Sequence, residues 1–195
     1  MKKTRNLILA SSSPRRKRLL KKLGLSFRVM PSNLDESMAH DLPPEKLAKK
    51  LAYEKARLVA AHCKDGLIIG ADTIVVVKGK VIGKPTSYRD AKRILKLLSN
   101  TTHRVITALA VIDAKTNKKI VQHENTVVKL REIKKEEIEK FARLHYDKAG
   151  SYAAQENNDA LIERVEGDFF NVVGLPLKRL KRMLKRFGVM VKKDV

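Results

Sequence analysis

Asp72 is the acid least at home among its neighbours. It follows the apolar run Leu67-Ile68-Ile69 and Gly70, and Ala71 and Ile74 to Val77 around it are core-type residues. A carboxylate so placed is paired, bound to a metal or working as a general base; the plainer alternative is a cap on a bend between strands. A second candidate opens the chain. Leu7-Ile8-Leu9-Ala10 runs into Ser11-Ser12-Ser13-Pro14-Arg15-Arg16, and Leu19, Leu20 and Leu23 follow at helical spacing. Ser13 suits an N-cap and Pro14 the first helical position, where a missing N–H costs nothing. Helix-end N–H groups beside two guanidinium groups make a corner able to hold phosphate, unless the arginines are simply solvated. In Gly83-Lys84-Pro85, Pro85 biases Lys84 toward extended backbone just after the Asp72 segment. Lys55 falls within the apolar face of a helix, where a lysine usually snorkels. Asp35-Glu36 adds two acids in a loop, a pattern that is most often just solvated.

The elements that must position these groups alternate between strand and helix. After the first strand and helix, Leu25 to Met30 reads as a strand. Pro43 and Pro44 start a long helix with Leu47, Ala48, Leu51, Ala52, Lys55, Ala56 and Val59 on or near one face. Leu67 to Ile69 is a buried-type strand, broken at Gly70-Ala71-Asp72-Thr73, and Ile74 to Val77 continue extended. Lys78-Gly79-Lys80 is a tight hairpin turn. Ser87 with Asp90 opens a helix carrying Ala91, Ile94, Leu95 and Leu98. Val105 to Asp113 and Ile120 to Lys129 are strands joined around Thr116-Asn117. Glu136 to Leu144 reads as a helix, Ser151 to Ala154 as a short strand, and Leu177 to Phe187 as a last amphipathic helix. Hairpins among helices predict an α/β fold with a mixed sheet flanked by helices.

The 195 residues suffice for one domain spanning 1–195, and 43% hydrophobic content suits a globular core. One cysteine, Cys63, excludes an intramolecular disulfide and a multi-cysteine zinc site. No apolar window is long enough for a bilayer and no signal peptide is evident, so a cytoplasmic location without membrane contact is expected. The formal net charge is +22, from 43 basic and 21 acidic residues. Such a field attracts polyphosphates and gives non-specific affinity for nucleic acid. There is no aromatic-basic stacking motif of the RNA-binding kind and no G-x-x-x-x-G-K-[ST] phosphate loop.

The opening S-x-S-P-R-R segment resembles the signature of the Maf family of nucleoside triphosphate pyrophosphatases. Gly70-Ala71-Asp72-Thr73, Gly83-Lys84-Pro85, Thr102-His103-Arg104-Val105-Ile106-Thr107, Asp147 to Gln155 and Asn171-Val172-Val173-Gly174-Leu175-Pro176-Leu177 are similar to later signatures of that family, in order along almost the whole chain. The resemblance implies an elongated two-lobed sheet with a central cleft, shared with inosine triphosphate pyrophosphatases, and a homodimer. It implies Asp72 as catalytic base and Ser13, Arg15, Arg16, Lys55, Thr73, Lys84 and Gln155 as substrate contacts. Glu36 and Asp72 would hold Mg²⁺ or Mn²⁺. Arg15, Thr73 and Gln155 together look like the dTTP/UTP branch, as opposed to the 7-methyl-GTP branch. A Gln amide can pair with the carbonyl and N–H of a uracil or thymine edge. His103 is expected to organise its strand and loop. Asn100 and Ala108 stand where the family has glycine, and Glu156 departs from the branch pattern. The competing readings are an inosine or 7-methyl-GTP type of pyrophosphatase and a nucleic-acid-binding or septum-regulating protein.

Overall fold

One long strand organises the molecule. A computed structural model describes residues 5–35, 42–144, 150 and 161–191. In it β3, Leu67–Val77, runs unbroken for 11 residues, all but Thr73 buried. The break expected at Gly70-Ala71-Asp72-Thr73 is therefore corrected: the segment lies mid-strand. Glycine after an apolar run reads as a breaker, but here it serves packing. A Cβ on Gly70 would fall 2.2 Å from the Ala52 carbonyl oxygen and 2.9 Å from the Ala56 Cβ. Only glycine lets helix α2, Pro44–Ala60, press so closely onto the strand.

Around β3 the other strands are β1 (Leu7–Leu9), β2 (Phe27–Val29), β4 (Lys80–Ile82), β5 (Thr102–Asp113), β6 (Lys119–Leu130) and β7 (Ile162–Glu166). They form a seven-stranded sheet in the order β2-β1-β3-β5-β6-β7, with β4 also paired to β3. The β1–β2 and β1–β3 pairs are parallel; the pairs of β3 with β4 and β5, β5 with β6, and β6 with β7 are antiparallel. The sheet is mixed, as the sequence predicts, and both expected hairpins are present. Strand β2 is shorter than Leu25 to Met30. The expected strand Ser151 to Ala154 lies outside the described residues.

Successive β3 residues face opposite sides of the sheet. On one side Ile68, Ile74 and Val76 join Ile106, Ala108 and Ala110 beneath Ala48, Ala52, Ala56 and Val59 of α2. On the other, Leu67, Ile69 and Ala71 meet α1 (Pro14–Lys22) and α6 (Leu177–Lys185) through Leu19, Leu20, Leu180 and Leu184. Farther along that side Val75 and Val77 belong to a separate cluster with α3 (Tyr88–Leu98) and α4 (Lys135–Leu144). The two clusters give two lobes joined by β3. A short helix, α5 (Phe169–Val173), bridges them: Val173 packs in the first cluster and Val172 against the second. No helix among the described residues is long and apolar enough to cross a membrane.

Candidate active site

The sheet carries a gap where its two halves meet. Strand β5 covers one edge of β3 from Leu67 to Val76. The opposite edge is shared: β1 pairs with Leu67 to Ile69, and β4 with Val75 to Val77. Between them neither strand covers Gly70 to Ile74, and Asp72 sits at the centre of that stretch. β1 climbs toward the gap and its chain turns away at Ser11 into α1. β4 approaches from the other end and leaves at Ile82, opposite Val75, into Gly83-Lys84-Pro85. β2 runs parallel to β1, so the loop after it, which leads through Asp35 toward Glu36, opens at the same end. Carboxyl ends of parallel strands at a change of topology are where α/β sheets hold ligands. Three segments remote in sequence thus leave the sheet toward its uncovered stretch, at whose centre Asp72 stands.

Asp72 faces α2. Its Oδ1 accepts a hydrogen bond from Lys55 Nζ at 2.6 Å, and the residues are only 6% and 8% exposed. Lys55 therefore does not snorkel: the close approach at Gly70 brings its ammonium to a carboxylate, which compensates its burial. The Asp72 Oδ2 accepts no hydrogen bond among the described residues, so one oxygen remains for a ligand. Ala108 lies directly across from Asp72 and is fully buried. Its single methyl, in place of the family's glycine, still fits under the helix.

Thr73 faces the other way. Its Oγ1 accepts from Arg16 Nη2 at 3.0 Å and lies 3.0 Å from Thr107 Oγ1. Thr107 spends its one hydroxyl proton on the Asn171 carbonyl at 2.8 Å, so Thr73 must be the donor to Thr107. Asn171 completes the chain. Its Oδ1 accepts from Thr107 N–H at 3.0 Å, and its Nδ2 donates to the Val105 carbonyl at 2.8 Å and Thr126 Oγ1 at 2.9 Å. Asn171, Thr107 and Thr126 are fully buried. Gly174, in the left-handed region at φ 110°, ends α5 with Thr73 Oγ1 only 3.2 Å from where a Cβ would stand.

At the start of α1, Ser13 Oγ accepts from the Arg16 N–H and Pro14 occupies the first turn, as predicted. Arg16 Nε donates to the Gly174 carbonyl at 3.0 Å and Nη1 to Ser11 Oγ at 3.4 Å. Its guanidinium thus clamps the serine loop to β3 and to the end of α5. Arg15 is half-buried and Lys84 exposed. A sequence-family model described as Maf-like protein matches residues 6–187. The chain belongs to the Maf-like family. The dTTP/UTP pyrophosphatase of Moorella thermoacetica is 46% identical over 187 residues, covering 95% of this chain and 96% of that one. The dTTP/UTP pyrophosphatase of Methanosarcina barkeri is 46% identical over 190 residues, 96% of each chain. Among solved structures the Staphylococcus aureus Ham1 protein overlaps 64% of the chain and 71% of its own, at 13% identity and a TM-score of 0.47.

His103 is 2% exposed, and burial pushes its pKa down to about 4. It is neutral at pH 7 and stands five residues along β5 from the partner of Asp72, about 17 Å away. That fits a structural role and not proton donation at the gap. Asn100 adopts φ 49°, a left-handed conformation asparagine tolerates, so it fills the family's glycine position. Glu36 and Gln155 lie outside the described residues. Among those described, no three His, Cys, Asp or Glu side chains gather as a closed metal cage. Among the described residues Asp72 offers a carboxylate oxygen at the gap, a hard donor suited to a Mg²⁺-type ion shared with substrate phosphates. The polar chain through Asn171 was missed by sequence reasoning; its one signal is an amide inside the apolar stretch after Phe169.

Proposed function

We propose that this Maf-like protein is a nucleoside triphosphate pyrophosphatase acting on dTTP and UTP. The observation that carries the reading is the Asp72–Lys55 pair at the uncovered edge of β3, with one carboxylate oxygen left over. The near full-length relatives bearing that activity in their names supply the substrate class.

In this reading the triphosphate lies against the serine loop at the start of α1, where backbone N–H groups and Arg15 meet its oxygens. Arg16 contributes charge while it holds the loop, and Lys84 closes on the phosphates from the β4 side. Asp72 accepts a proton from a water molecule as that water attacks the α-phosphorus. The bond from the α-phosphorus to the bridging oxygen breaks, and pyrophosphate leaves with the bond's electron pair. Lys55 orients the Asp72 carboxylate, and the surrounding cations stabilise the charge on the departing group. A divalent cation entering with the substrate would take Asp72 and Glu36 as ligands and supply neutralisation of phosphate charge. Thr73 and Gln155 are proposed to shape base selection, Thr73 through the loop it anchors. Ser13 holds the helix end in place. A homodimer in the cytoplasm is part of the same proposal.

The test is pyrophosphate release from dTTP, UTP, CTP, GTP, 7-methyl-GTP and ITP with Mg²⁺ or Mn²⁺, beside an Asp72→Asn control. Preferred turnover of dTTP and UTP, lost in the control, supports the reading. Turnover confined to the purine nucleotides moves the protein to another branch. Absence of turnover from folded protein with either metal overturns the enzymatic reading.

A further inference from the structure

Half of the formal net charge of +22 sits on two short helices of the same layer. α1 reads PRRKRLLKK and α6 reads LKRLKRMLK; eleven of their eighteen residues are basic and none is acidic. The longer helices are mixed: α2 carries Glu45 and Glu54, α3 Asp90, and α4 Glu136, Glu137 and Glu139. The asymmetry is thus local and not a simple share of the bulk charge. Leu19 and Leu20 of α1 and Leu180, Met183 and Leu184 of α6 lie in one apolar cluster on one side of the sheet. Both helices thus pack on the same side of the sheet and turn their remaining sides to solvent. Arg18, Lys21, Lys178, Arg182 and Lys185 are exposed, and none forms an ion pair among the described residues. Arg179, by contrast, is held by Glu124 at 2.7 Å.

We propose that the α1–α6 face binds the phosphate backbone of a nucleic-acid duplex, independently of sequence. Three features select that partner. An unneutralised cationic surface gains by releasing the counterions of a polyanion. Neither helix has an aromatic residue on which unpaired bases could stack. Their apolar sides are consumed in the core, so neither helix offers an apolar stripe to a lipid interface. The proposal stands apart from the hydrolase reading: Arg15 and Arg16 of α1 belong to the phosphate corner, whereas the exposed cations it uses, Arg18, Lys21, Lys178, Arg182 and Lys185, are not among the groups placed at the gap.

The experiment measures binding of a short fluorescein-labelled DNA duplex by anisotropy over a salt series. It compares wild type with the combined variant Arg18→Gln/Lys21→Gln/Arg182→Gln/Lys185→Gln, and with Arg89→Gln/Lys96→Gln on α3 as a charge control. Wild type should bind with a steep salt dependence. The combined variant should lower the log–log slope by about 3 to 4 and weaken binding more than about tenfold at low salt, with pyrophosphate release and thermal melting preserved. The α3 control should lose far less. Equal weakening per charge in the control would reduce the effect to bulk charge and overturn the proposal. Unchanged duplex binding in the combined variant would do the same, as would binding of phosphatidylserine vesicles without binding of the duplex. Loss of kcat/KM for nucleotide with duplex affinity intact would make the face a steering field for small substrates instead.

Discussion

Asp72 and Thr73 are adjacent in sequence and belong to two different kinds of site. On the α2 side, Asp72 is half satisfied: one oxygen meets Lys55 and the other meets no described residue. On the α5 side, Thr73 gives its proton to Thr107 and takes one from Arg16. From there Asn171 spends both Nδ2 protons on protein acceptors. A half-used buried carboxylate is a costly arrangement that a fold keeps for a ligand or a proton. A fully paired buried chain specifies geometry. The strand's alternation separates chemistry from support by one residue.

The largest effect expected is on the open side. Asp72→Asn keeps the shape and removes the base, so kcat should fall by about 10²–10⁴-fold in steady-state pyrophosphate release, with the circular dichroism spectrum unchanged. Near-normal turnover in that variant would remove Asp72 from the chemistry. Lys55→Ala leaves the Asp72 carboxylate buried without its cation. Breaking a buried pair costs about 3–5 kcal/mol, which should appear in urea unfolding as a lowered midpoint with an unchanged slope.

On the closed side the expected order reverses, with stability falling and turnover spared. Asn171→Ala strips partners from the Thr107 N–H, the Val105 carbonyl and the Thr126 hydroxyl, all buried. About 2–4 kcal/mol of stability should be lost, while kcat per folded molecule changes little. A fall in kcat as deep as that of Asp72→Asn would erase the distinction between the two sides. The closed side also hides His103. Burial holds its folded pKa near 4, below the unfolded value of 6.5, so the neutral ring belongs to the folded state. Its contribution is complete above pH 6.5 and is lost as pH falls from there through about 4. Between pH 7 and pH 5 this one residue should cost about 2 kcal/mol. A His103→Gln variant should show a flatter stability–pH curve over that range; an identical curve would place the titration elsewhere.

Local chemistry made much of this legible. Ser13 and Ser87 cap their helices as read, accepting from Arg16 and Asp90 N–H groups. Lys55 stands on the buried face of α2 where its spacing puts it. The reading failed where the reason was tertiary. Gly70 carries a breaker's local signature, and only the helix crossing above it explains an unbroken strand. β7, Ile162–Glu166, is largely solvent-facing with the polar sequence IERVE, and α5 has five residues, too few to show a helical period. Asn171 acts on strands more than forty residues earlier in the chain, a pairing no window of sequence can display.

The smallest effect, and the finest test of the two-sided strand, is Thr73→Val. Valine keeps the volume and the β-branch that suit a strand, so only the hydroxyl is lost. Arg16 Nη2 loses its acceptor at 3.0 Å and Thr107 loses the donor it accepts from, while Thr107 still donates to Asn171. Because Thr73 is only partly buried, the cost should be about 1 kcal/mol. Arg16 also binds the Gly174 carbonyl and Ser11, so the serine loop should loosen without detaching. The expected signature is a rise in KM for dTTP of a few-fold, about 3-fold by the scale of one weakened hydrogen bond, with kcat nearly unchanged. The ratio of dTTP to CTP turnover then separates two roles for the hydroxyl. A ratio that stays fixed while KM rises identifies a support for the phosphate loop. A ratio that collapses means that the hydroxyl reaches the base, and the closed side would then be open at Thr73 when substrate is bound.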